Sequence, residues 1–152
     1  MAEPQTIRVI DALLTELQRI TVVNGFQTDL GLWMSRERSQ TGIPTAPRGT
    51  VALLGKRAME SGQGHAGNGR AVEGMIEIIL PATYANALDT IYRADEDVER
   101  ALFEMGERLN AGAIPAFGAL VPVYAETVFL DRPEGLPLCA AEITWTTGWR
   151  RH

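Results

Sequence analysis

The chain has 152 residues, 45% of them apolar and 22% charged, with a net charge of -5 and a pI ≈ 5.0. That length suits one domain burying roughly 70% of the surface its unfolded chain exposes, and the composition is too apolar for a chain that stays disordered. The acidic balance disfavours a protein whose task is gripping phosphates, because that affinity comes from clustered Lys and Arg. Self-assembly must then rest on apolar patches and complementary local charges.

Cys139 is the single cysteine, so the fold does not depend on an intrachain disulfide, and synthesis in a cytoplasm is expected. The first residues show no basic segment leading into an apolar run. Nor is any apolar run about eighteen residues long, so neither export nor membrane spanning is expected.

In residues 4–22, Ile7, Ile10, Leu13, Leu14, Leu17 and Ile20 recur every three or four positions, which predicts an amphipathic helix. Pro4 suits its first turn, Glu3 faces the positive end of the dipole, and Asn24 and Gly25 tolerate the left-handed stop. Over residues 30–38 the period falls to two, with Leu30, Leu32 and Met34 on one side and Gly31, Trp33 and Ser35 on the other, which predicts a strand. Gly42, Pro44, Pro47 and Gly49 punctuate residues 39–49 as a loop.

Two further strands are expected at residues 50–59, through Val51, Leu53 and Leu54, and at 72–80. In the latter, Val72, Ile76, Ile78 and Leu80 face away from Glu73, Met75 and Glu77. Between them, residues 61–70 hold four glycines and little that packs, so a mobile tip is expected. Leu88, Ile91, Val98, Leu102, Met105 and Leu109 mark a second helix over residues 83–109, with Asp95, Glu96, Asp97 and Glu99 on a solvated face and Glu96 paired to Arg100. Residues 120–130 and 138–149 close the chain as a hairpin joined by Asp131-Arg132-Pro133-Glu134-Gly135.

The expected fold is a single α+β domain over residues 1–152, in the order helix, three strands, helix, two strands. Its sheet of about five strands is largely antiparallel, with both helices on one face and mobile loops near 39–49 and 56–70.

Gly62, Gly64 and Gly67 match a dinucleotide-binding glycine pattern, but that chemistry needs a helix directly afterwards, and residues 72–80 alternate like a strand. His65, His152 and Cys139 have no zinc-like spacing, and neither histidine sits near a G-x-S-x-G turn that would mark an activated serine. No catalytic, cofactor or metal residue is nominated. Trp33, Trp145 and Trp149 fall on predicted strands; Trp145 shares a face with Ile143 and belongs in the core, whereas Trp149, beside Arg150 and Arg151, is expected to be exposed and to anchor a contact. Arg36, Arg38 and Arg48 flank one loop and Lys56, Arg57 and Arg70 the other. Scattered surface charge accounts for them, and basic rims on an acidic body would also suit head-to-tail contact between copies.

The run Ile10-Asp11-Ala12-Leu13-Leu14, continued by Ile20-Thr21-Val22-Val23-Asn24-Gly25-Phe26-Gln27-Thr28-Asp29-Leu30-Gly31, resembles the opening of tail terminator, or tail completion, proteins of long-tailed bacteriophages. The helix around residues 94–102 and the closing strand pair are similar to that family in element order. The resemblance implies a structural protein without catalytic residues or cofactor, forming a ring, typically of six subunits, on the head-proximal end of the tail tube. Its implied partners are copies of itself, the tail tube protein and a head-tail connector or neck protein, with DNA at most passing through the lumen. It would be made in the host cytoplasm and reside in the tail neck of the virion. Residues 39–49 and 56–70 are then the expected contacts with neighbours or tube. A nucleotide- or small-molecule-binding enzyme using residues 62–67 is the alternative from another class, and a host-directed adaptor a third.

Overall fold

A computed structural model describes residues 3–36, 45–59 and 69–150. Helix α1 covers Gln5–Leu17, strand β1 Met34–Ser35, β2 Arg48–Ala58, β3 Gly69–Pro81, helix α2 Ala87–Asn110, β4 Val123–Asp131 and β5 Leu138–Arg150. The five strands form one sheet in the order β1-β2-β3-β5-β4. Only the β1–β2 pair is parallel; the others are antiparallel. This is the expected α+β class.

Alternation along β3 and β5 decides where the core lies. Register places Gly74 beside Trp145, Ile76 beside Ile143, Ile78 beside Ala141 and Leu80 beside Cys139. All of these but Gly74 join Val9, Leu13 and Leu17 of α1 and Ile91, Val98, Leu102 and Met105 of α2 in one buried cluster. Both helices therefore cover the same face of the sheet. Each fully buried Leu or Ile contributes about 1.5–3 kcal/mol relative to exposure, so this cluster is the main source of stability. The opposite face carries Glu73, Met75 and Glu77 of β3 and Glu142, Thr144 and Thr146 of β5, all at least partly exposed.

Several boundaries differ from expectation. α1 stops at Leu17, with Pro4 as its N-cap, and the chain turns so that Ile20, still fully buried, hangs outside the helix. Gly25, at φ +91°, ends a short 3₁₀ turn at Val22–Asn24 instead of α1. The alternation at residues 30–38 is not a long strand: Leu30–Trp33 is a 3₁₀ turn, and only Met34 and Ser35 pair with β2. Leu32, expected beside Leu30 and Met34, is 73% exposed. The cause is Gly31, whose N–H donates to the Ile20 carbonyl at 2.7 Å and whose added Cβ would lie 2.4 Å from the Gln18 carbonyl oxygen. Trp33 stacks edge-on against Tyr84 at 6.1 Å from this turn, not from a strand.

The expected loops are also trimmed. Arg48 and Gly49 already belong to β2, and Lys56, Arg57, Gly69 and Arg70 are paired strand residues, so the mobile segments foreseen at 39–49 and 56–70 do not include them. What remains of those two segments lies largely outside the described residues. α2 begins at Ala87 instead of residue 83, because Asn86 enters it in the left-handed conformation, φ 54°. β4 starts at Val123, since Pro122 cannot donate to a ladder.

Candidate interaction surfaces

The segment that carries the tail-terminator resemblance is a turn held from both sides. Asp97 of α2 accepts from the Gln27 and Thr28 amides at 3.1 and 2.8 Å and from the Thr28 hydroxyl at 2.7 Å. Asp29 Oδ1 accepts from the Val22 amide at 2.9 Å, and Asn24 Nδ2 donates to the Arg19 carbonyl at 2.9 Å. Arg100 closes the clamp: its Nη1 donates to the Gly25 carbonyl at 2.8 Å while its guanidinium lies 4.2 Å from the centre of the Phe26 ring. Thr28 and Asp29 thus both help hold the turn.

This arrangement corrects the acidic run on α2. Asp97 is 1% exposed and Asp95 is 8% exposed, so only Glu96 and Glu99 lie on a solvated face. Glu96 accepts from Gln27 Nε2, and Arg100 pairs with Glu104 in place of Glu96. Asp95 accepts from the Thr127 hydroxyl at 2.5 Å, and that hydroxyl also meets Tyr124 Oη at 2.8 Å, so a polar chain stitches α2 to β4. Burial pushes the Asp95 carboxyl above its ordinary value, the Thr127 hydrogen bond pulls it back, and the neighbouring Glu96 charge adds to the rise. A second tie, Glu16 with Arg108 at 2.8 Å and Arg19 at 3.3 Å, fastens α1 to α2.

Along the same α2–β4 seam several large apolar side chains are exposed. Phe103 is 71% exposed and Val123 60%, and both line an open groove of ≈ 410 Å³ with Leu102, Gly106, Val121 and Tyr124. At the seam's other end Tyr92 meets Phe129 edge-on at 5.1 Å, both partly exposed. Exposed apolar side chains at the two ends of the seam, with Glu96 and Glu99 between them on α2, are suited to contact with another macromolecule. Glu99, Glu107 and Asn110 complete the groove's lining, and among the described residues no group of His, Cys, Asp and Glu is placed to hold a metal.

Sequence reasoning missed this seam. Its signal was present: Tyr92, Glu96, Glu99 and Phe103 share one helical face, and two aromatic residues there have no place on the buried stripe.

The residues nominated from sequence fall apart in space. Arg36 is exposed and bonded to Asp11 at 2.9 Å, on the α1 side of the sheet. Arg38 lies outside the described residues. Arg48 opens β2 at the lower end of the sheet, half-buried. Lys56 and Arg57 project from the far end of β2, both exposed, and pair with Val72 and Ala71 of β3. Arg70 is half-buried opposite Trp149. Trp149, expected to be exposed, is only 9% exposed and belongs to the core, because its alternation with Trp145 turns it toward the helices.

The glycine-pattern alternative meets a direct obstacle. Gly62, Gly64 and Gly67 lie outside the described residues, but β3 begins at Gly69, so the helix N-terminus that such a phosphate site requires is replaced by a strand. No helix among the described residues is long and apolar enough to cross a membrane. No protein-family profile matches the chain, and no curated protein matches it significantly.

Proposed function

We propose that this chain is a structural virion protein that closes into a ring of six copies, caps the head-proximal end of a phage tail tube and joins tail to head. The observation that carries this reading is the apolar seam between α2 and β4, with Phe103, Val123, Tyr92 and Phe129 open to solvent on an otherwise acidic, soluble body. Exposed apolar side chains of this kind suit contact with protein. The resemblance of residues 10–31 to tail terminator proteins supplies the place of that contact. Its supporting fact is that the resembling turn is a rigid scaffold, clamped by Asp97 and Arg100, as a purely architectural element would be.

On this reading the partners are neighbouring copies, the tail tube protein and a connector or neck protein, and DNA at most passes through the lumen. Charge agrees with the last point, since a net charge of -5 supplies little attraction for phosphates. Native mass spectrometry of the purified chain with negative-stain images tests the reading. It predicts closed six-membered rings at micromolar concentration; a strict monomer retaining a nucleotide would defeat it.

A further inference from the structure

Two exposed apolar surfaces stand on different flanks of α2. One is the groove of ≈ 410 Å³ beside Phe103 and Val123. The other is the tip of the clamped turn, where Val22 and Leu32 are exposed and Val23 is 95% exposed. Asp29 ties this tip together: its carboxylate accepts from the Val22 amide at 2.9 Å, and its carbonyl accepts from the Leu32 amide at 2.9 Å. Each of these three aliphatic side chains would contribute about 1.5–3 kcal/mol if removed from water, a gain that folding leaves to association. A knob therefore lies on one side of α2 and a recess on the other.

The helical period sorts the charges of α2 between the same two flanks. At about 100° per residue, Asp97, which holds the turn, and Gly106, which lines the groove, point roughly 180° apart. Arg93, Arg100 and Arg108, all the arginines of α2, fall on the stripe of Asp97. Tyr92, Glu99 and Phe103 fall on the stripe of Gly106, toward β4. Arg93 and Arg100 are matched by Asp89 and Glu104, but Glu16 alone serves both Arg108 and Arg19. Arg19 is 39% exposed and adjoins the knob, since its carbonyl accepts from Asn24 Nδ2. The groove has the exposed carboxylates Glu99 and Glu107 and no Lys or Arg in its lining.

Charge and shape select how two copies meet. Groove against groove would oppose carboxylates to carboxylates, and knob against knob would leave both grooves in water. Knob against groove covers both apolar surfaces and brings Arg19 to Glu99 and Glu107. We propose, resting on the ring reading above, that Val22, Val23 and Leu32 of one copy seat in the groove beside Phe103 and Val123 of the next, with Arg19 facing Glu99 and Glu107 across the contact. The Asp97 and Arg100 clamp suits the turn to this role, because a knob already held in place loses little conformational freedom on docking. The contact joins two different surfaces, so every docked copy still offers a knob at one side and a groove at the other. Repeated, it closes into a ring when its rotation allows.

The test compares the full-length chain with Val23→Asp and Phe103→Asp, each alone and the two mixed one to one, by native mass spectrometry and sedimentation. Both positions are largely exposed, so the far-ultraviolet circular dichroism and melting point should not change. Each variant alone should self-associate about tenfold or more weakly than the parent, because it keeps only one half of the contact. Mixed, they should form one-to-one pairs and nothing larger, since the intact knob of the Phe103→Asp copy fits the intact groove of the Val23→Asp copy. Such pairs lack the second contact that ring closure gives, so the mixture is followed up to about 100 μM. Variants that assemble as the parent does, or that neither assemble nor pair when mixed while the parent forms rings, would overturn this contact and leave the ring reading standing. A parent that forms open chains, with pairs in the mixture, would keep the contact and overturn the ring. A parent that stays monomeric at every concentration would overturn both, whatever other protein its groove then took up.

Discussion

Replacing Asp97 by alanine tests how the fold treats its most deeply buried carboxylate. Asp97 accepts three hydrogen bonds from Gln27 and Thr28 and is 1% exposed. Hydrogen bonds to a charged group contribute about 1.5–3 kcal/mol each, and removing the acceptor strands two amides and a hydroxyl in the interior. The three bonds share one acceptor and are not additive, so the expected loss is about 3–5 kcal/mol against a total stability of about 5–15 kcal/mol. For a chain of this size that lowers the melting point by roughly 6–20 °C. Asp97→Asn keeps one acceptor oxygen and should lose about half as much. Asp89→Asn, on a solvated helix turn paired only with Arg93 at 3.0 Å, serves as control and should change little. Urea unfolding followed by tryptophan fluorescence measures all three, because Trp145 is fully buried. If Asp97→Ala fell within about 1 kcal/mol of the parent, the clamp would not be what holds residues 21–31.

Three further outcomes follow from the same structure. Gly74→Ala should cost about 3 kcal/mol in urea unfolding, because its Cβ would lie 2.1 Å from Trp145 Cζ2; the cost should shrink in a Trp145→Phe background, which lacks the struck ring. Asp95 has its folded pKa raised, first by burial, so its contribution to stability is fully present below the ordinary value of 3.8 and is lost as pH rises through the raised value. Asp95→Asn, which keeps an acceptor for Thr127, should therefore gain on the parent as pH rises across that window, and a difference that stays flat from pH 3 to 7 would contradict the assignment. Phe103→Ser combined with Val123→Ser should leave stability within about 0.5 kcal/mol per site and weaken self-association or tube binding, measured by sedimentation; unchanged binding would remove the seam from the interface.

Periodicity read from sequence located α2, β2, β3 and β5 because local pattern and tertiary burial agree there: Ile76 and Ile78 alternate in the chain and are buried in the sheet. It failed at residues 30–35 because Gly31 is shaped by the carbonyls of Gln18 and Ile20, a contact that no short window of sequence contains. The acidic run misled for a similar reason. Asp97 looks solvated until its partners, 69 and 70 positions away, come into place. Trp149 looked like a surface anchor beside two arginines, although its even spacing from Trp145 already assigned it to the buried face. The basic residues were legible as a group, yet among the described residues only Lys56 and Arg57 project together from one end of the sheet.

If the chain acts as proposed, cryo-electron microscopy of the particle that carries it tests the architectural claim most directly. The account predicts six copies forming one closed layer between the last tube ring and the neck. Finding the chain absent from the particle, or scattered along the tube, would contradict it.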